Sequence, residues 1–148
     1  MIDLTAVKGQ KQAVGLLAGF LETGRAPHAL LFSGPEGVGK RFAADLFARA
    51  LFCRSQATVP CNSCDPCVKI ERGSFPDLIS VAIPEDKTRI LIEQIQEIER
   101  IVAYHPFSGD RRVIIIDPAD MMTESAAAAI LKTLEEPPAG THFILVTG

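Results

Sequence analysis

The stretch Gly34-Pro35-Glu36-Gly37-Val38-Gly39-Lys40-Arg41 limits the possible folds of this chain more than any other. It follows an apolar run, Ala29-Leu30-Leu31-Phe32, and opens a helical pattern. Strand, glycine-rich turn and helix in that order, with the spacing G-x-x-x-x-G-K, make a phosphate-binding loop. Gly37 and Gly39 let the backbone turn sharply and approach a ligand closely. Successive N–H groups then face one concavity at the positive end of a helix, and Lys40 adds a mobile cation for β and γ phosphates. Gly34, Gly37, Val38, Gly39, Lys40 and Arg41 are therefore candidate nucleotide-binding residues of a working or a vestigial site. A tight glycine turn that holds no ligand would use the same residues. The position after the lysine normally carries Ser or Thr, whose hydroxyl ligates Mg²⁺; here it is Arg41. A guanidinium offers only donors and cannot bind a metal.

Hydrophobic periodicity sets the loop in an α/β frame. An amphipathic helix is predicted over 9–23, with Ala13, Leu17, Phe20 and Leu21 on one face and Gly24 as C-cap. A strand over 29–33 precedes the loop. A helix over 40–52 follows it, with Ala43, Leu46, Phe47, Ala50 and Leu51 toward the core. Further strands fit 78–83, 113–116 and 142–147. Helices fit 89–103, with Leu91, Ile95, Ile98 and Val102 in one stripe, and 124–135, with Thr123 as N-cap. Glu97 and Arg100 are spaced to pair, and Pro137-Pro138 stops the last helix. The β-branched run Val113-Ile114-Ile115-Ile116 suits a central parallel strand covered on both faces. Alternating strands and helices predict a three-layer α/β sandwich with a parallel sheet. Ligands sit beyond the C-terminal ends of the strands in such sheets, where the glycine loop, Asp117 and Thr147 all fall. The last strand ends one residue before the chain does, and a truncated domain is expected.

Asp117 follows four apolar residues, the pattern of a carboxylate that holds Mg²⁺, usually through water. A strand-end acid capping the next turn is the plainer alternative. Pro118 comes next and carries no base; Asp120 lies further on. With no hydroxyl at 41 and no acid at 118, no useful intrinsic ATPase activity is expected, since loss of a base alone costs on the order of 10²–10⁴ in rate. Thr147 is a candidate γ-phosphate sensor or a strand-favouring Thr. Val7-Lys8-Gly9-Gln10 would line an adenine pocket or form an ordinary helix-start turn. His28, His105 and His142 are isolated and read as loop or core positions.

The pattern breaks at about 53–76, which holds Cys53, Cys61, Cys64 and Cys67 with the spacing C-x7-C-x2-C-x2-C. Overlapping C-x-x-C steps bring three thiolates round one turn, and the seven-residue excursion can return Cys53 as a fourth. Four soft ligands suit a closed, structural, tetrahedral Zn²⁺ site. Disulfides, free thiols and an iron–sulfur cluster are the alternatives. The segment reads as an inserted knuckle that touches a partner or DNA. The formal charge of −3 over 148 residues argues against a strongly basic nucleic-acid surface. No signal peptide is visible and no apolar run is long enough to span a bilayer, so a cytoplasmic protein with no membrane partner is expected.

Taken together, Gly34–Arg41, the four cysteines, Asp117-Pro118-Ala119-Asp120 and Leu131-Lys132-Thr133-Leu134-Glu135-Glu136-Pro137-Pro138 resemble the bacterial clamp-loader subunits of DNA polymerase III. The likeness runs from Val7 to Thr147. It implies a RecA-like AAA+ domain over 1–148 with an inserted zinc knuckle, the first of three domains of a longer subunit. The implied partners are gamma/tau and delta subunits, a sliding clamp and primed DNA. Motor subunits of the gamma/tau branch carry Thr or Ser after the loop lysine and an Asp-Glu pair at the second motif. Lys40-Arg41 and Asp117-Pro118 instead resemble the non-hydrolysing delta-prime branch. The arginine finger of that branch would fall beyond Gly148. Two other functions remain open: an active ATPase motor, and a zinc-dependent nucleic-acid-binding module.

Overall fold

The computed structural model describes residues 1–148. Contacts divide the chain into two compact units, one of residues 1–27 and 39–75, the other of residues 28–38 and 76–148.

The first unit is helical. Helix α1 spans Lys11–Thr23 and ends on Gly24 in the left-handed conformation, φ 67°, as its sequence predicts. Leu17 is buried and Phe20 and Leu21 half-buried, but Ala13 is exposed, so only the C-terminal part of the expected stripe is covered. Helix α2 spans Lys40–Phe52. Its buried residues are Ala44, Phe47, Ala48 and Ala50, which corrects the predicted face. Ala43, Leu46 and Leu51 are half-buried. Positions 44, 47 and 48 form one i, i+3, i+4 stripe, and its alanines outrank the bulkier Leu46 because small side chains permit close packing. Helix α3, Asp65–Glu71, with Pro66 in its first turn, was not expected within the cysteine segment. Phe52 and Phe75 meet edge to face with ring centres 4.8 Å apart. The N-terminus joins the segment through a parallel bridge, Ile2 to Val59, in which Asp3 N–H donates to the Val59 carbonyl at 2.8 Å.

The second unit holds the sheet. Strands β1 (Ala29–Ser33), β2 (Leu78–Val81), β3 (Arg112–Ile116) and β4 (Thr141–Thr147) are all parallel, in the order β1-β4-β3-β2. All five residues of β3 are buried, so both of its faces are covered, as a β-branched central strand requires. On one face Val81, Ile114, Ile116 and Phe143 form a single core with α4 (Ile92–Val102) and α5 (Glu124–Glu135). Ile95, Ile98 and Val102 are the buried stripe of α4. The Gln94 side-chain oxygen accepts the Leu91 N–H at 2.8 Å, a one-sided cap because Leu91 has no polar side-chain atom. Thr123 caps α5, its hydroxyl accepting the Ala126 N–H at 3.2 Å, and Arg100 pairs with Glu97.

Two buried charged residues, missed by the sequence, brace this unit. Arg112 donates to the carbonyls of Ile101, Tyr104 and His105 at 3.0–3.2 Å, closing the C-terminal end of α4. Asp77 accepts from the N–H groups of Phe107 and Ser108 and from the Ser108 hydroxyl at 2.7–2.8 Å. Burial opposes ionisation of Asp77. The Ser108 and Phe107 donors and the Arg112 charge outweigh it and hold the carboxyl below the usual carboxylate range.

Candidate functional site

Of the residues picked from the sequence, the four cysteines lie in the first unit, and Gly34, Gly37, Val38, Asp117 and Thr147 lie in the second. In the first unit, Cys53 ends α2, Cys61 lies in the turn beyond it, Cys64 is the N-cap of α3 and Cys67 lies in its first turn. The four Sγ atoms all lie within 4.8 Å of one another. A tetrahedral ion with metal–sulfur bonds of about 2.3 Å would set them about 3.8 Å apart, so the cluster can close on an ion by a small contraction. All four are free thiols. Backbone donors already point at them: Ser55 and Cys61 N–H groups at Cys53 Sγ, 3.5 and 3.3 Å, and Ser63 and Cys64 N–H groups at Cys61 Sγ, 3.4 and 3.2 Å. The Ser63 hydroxyl first, then these amides, lower the Cys61 thiol to about 6. Burial raises Cys53, and pushes Cys67 up to about 12. The buried thiols need a cation to become thiolates, and a divalent ion supplies it. The chemistry of the donor set and its spacing thus fit a closed metal site.

In the second unit, β1, β4 and β3 are neighbours and parallel, so the segments leaving their C-terminal ends share one edge. Gly34 to Val38 leave β1, Asp117 leaves β3, and Thr147 closes β4 opposite Ser33. Gly37 has φ +83°, and a side chain added there would meet nothing within 4 Å. Its backbone conformation, not lack of room, demands glycine. Asp117 donates its N–H to the Val81 carbonyl at 3.1 Å and is joined to Pro118 by a cis bond. Asp120 is exposed on a 3₁₀ turn, Ala119–Met121.

Gly39, Lys40 and Arg41 fall in the first unit and open α2. Gly39 is its N-cap, with φ +87°, and the first turn of the helix carries no acidic residue of its own. Arg41 lies one turn before Asp45, and its Nε reaches both carboxylate oxygens at 3.1 and 3.2 Å. A guanidinium tied into the helix therefore stands where metal-dependent loops place a hydroxyl.

A parallel α/β sheet with a glycine loop after its first strand and an acid after its third defines a domain of the P-loop class. A family model described as DNA polymerase III, delta subunit, matches residues 9–148, and the chain belongs to that family. It is 42% identical over 142 residues to DNA polymerase III subunit tau of Salmonella typhimurium, covering 95% of this chain and 22% of that protein. It is 38% identical to subunit delta′ of Bacillus subtilis, covering 93% of this chain and 41% of that protein. It is also 38% identical to subunit tau of the same organism, covering 95% and 25%. The chain thus spans well under half the length of these relatives. A crystal structure of a DNA polymerase III gamma subunit-related protein from Thermotoga maritima superposes with a TM-score of 0.64 at 21% identity, over 88% of this chain and 38% of that one, and shares the fold.

Proposed function

We propose that this chain is the N-terminal AAA+ domain of a delta-prime-type subunit of the DNA polymerase III clamp loader. It would lend shape and contact surfaces to a ring in which neighbouring gamma/tau subunits hydrolyse ATP, in loading a sliding clamp on primed DNA in the cytoplasm. Its four cysteines would hold a structural Zn²⁺. The observation that carries the proposal is the pair of departures at the P-loop and strand end. Arg41 is ion-paired to Asp45 where a magnesium-binding hydroxyl belongs, and Pro118 stands directly after Asp117 where a water-activating acid belongs. Gly34, Gly37, Val38, Gly39, Lys40, Asp117 and Thr147 would then hold nucleotide weakly, without hydrolysis. No helix of the chain is long and apolar enough to cross a membrane.

The second reading is a motor subunit, favoured by relatives of the tau kind matching as well as the delta′ relative does. Steady-state ATP hydrolysis by the full-length protein separates the two. A delta-prime-type subunit turns over ATP on the order of 10²–10⁴ more slowly than a motor subunit, as expected for a missing base. Turnover at motor rates by the isolated protein would establish the second reading instead.

A further inference from the structure

The turn between Cys61 and Cys64 is gripped by a side chain from α2. Arg49 lies one turn before Cys53, so the two side chains share a helix face, and the Arg49 carbonyl accepts the Cys53 N–H at 3.0 Å. The Arg49 guanidinium donates to the Asn62 side-chain oxygen at 2.9 Å. Asn62 has φ +62°, the one residue other than glycine with positive φ. Asn tolerates that conformation better than most residues. There the Asn62 N–H bonds to Cys67, while the next two N–H groups, of Ser63 and Cys64, bond to Cys61 Sγ at 3.4 and 3.2 Å. The conformation of one residue thus aims three backbone donors at two sulfurs. Arg49 Nε is buried with no hydrogen-bond partner. A buried cationic donor is unfavourable unless negative charge lies nearby, and four thiolates round a divalent ion leave a net negative charge.

We infer that Arg49 and Asn62 form a latch that fixes the Cys61–Cys64 turn around a bound metal ion and supplies a counter-charge to its thiolates. The inference rests on the reading of the cysteines as a metal site. Both are positioning residues, acting on the ligands and not on the ion. Asn62→Gly keeps the left-handed backbone free of steric strain and removes the latch. Arg49→Met removes latch and charge, and Arg49→Lys keeps the charge without the planar fork.

The test is transfer of Zn²⁺ from the full-length protein to a chromophoric chelator. Transfer is expected to be about 10–100-fold faster in Asn62→Gly and in Arg49→Met, the range found when groups supporting metal ligands are removed. Arg49→Lys falls between parent and Arg49→Met. The double variant, Asn62→Gly with Arg49→Met, is no faster than the faster single one, because both changes break one interaction. Singles that release metal at the parent rate, or a double variant whose effect is the product of the two, overturn the latch. A parent protein that purifies without zinc and shows no thiolate-to-metal absorption with Co²⁺ overturns the metal site and the latch together. A loaded parent with unaffected variants overturns the latch alone.

Discussion

Arg41 and Asp45 are bound to each other at 3.1 Å across one turn of α2, with both side chains more than one third exposed. An ion pair that open to water is worth well under 1 kcal/mol or so, so the interest of Arg41 lies in what it displaces. Replacing it by Thr restores a hydroxyl after Lys40. Arg41→Thr is expected to make binding of a non-hydrolysable ATP analogue tighten on addition of Mg²⁺, measured by calorimetric titration, while turnover stays at the parent level. Hydrolysis is expected only when Pro118→Glu is added, because hydroxyl and base serve different steps. Single-variant turnover at motor rates would show that the base lies elsewhere. Both departures were legible from residue identity alone. The Arg49–Asn62 contact was not, because it joins positions 13 apart. Its one visible trace is an Asn inside a C-x-x-C step, a residue type suited to positive φ.

Elements were legible where a periodic apolar pattern met a clear stop signal. Strand β1, helix α2 and helix α5 begin and end where expected, because Gly39, Thr123 and the proline pair after Glu136 mark their ends. Pattern without a cap was less reliable: the helix expected over 89–103 covers Ile92–Val102, and a seven-residue α3 was missed among cysteines, where helical period cannot show. The buried Asp77 and Arg112 escaped for another reason. A charged residue in sequence reads as surface, and only the tertiary fold shows the orphaned carbonyls at the end of α4 and the N–H groups of Phe107 and Ser108 that they satisfy. That bracing has a measurable pH signature. The Asp77 carboxyl is held low in the folded protein, so its contribution is complete above the unfolded value of about 3.9 and is lost as pH falls through the folded value. Asp77→Asn is expected to cost about 2 kcal/mol at neutral pH, the scale of hydrogen bonds to an ionised group. The gap between parent and variant in urea unfolding should close on acidification below about pH 4. A gap unchanged between neutral and acid pH would mean that the carboxylate charge contributes nothing.

At the scale of the whole chain, the cysteines lie entirely in one compact unit and the sheet in the other. The core on one face of the sheet unit is apolar and shared with that unit's own helices α4 and α5, and β3 is wholly buried. The first unit has a smaller set of buried apolar residues and a long segment between α2 and α3 whose only regular pairing is the Ile2–Val59 bridge. A metal bound by Cys53, Cys61, Cys64 and Cys67 would fasten the end of α2, the turn and the start of α3, so its free energy would be folding free energy for that segment. Removing it with a chelator is expected to speed amide exchange across residues 53–75 by an order of magnitude or more, while β3 and β4 keep their protection. Acid should do the same, because thiolates must be protonated to release the ion. Affinity falls as pH drops, because each thiol must lose its proton to bind the ion. Exchange that accelerates equally in the sheet would show that the two units unfold as one. Exchange that does not change at all would mean that the four thiols hold the segment together without an ion.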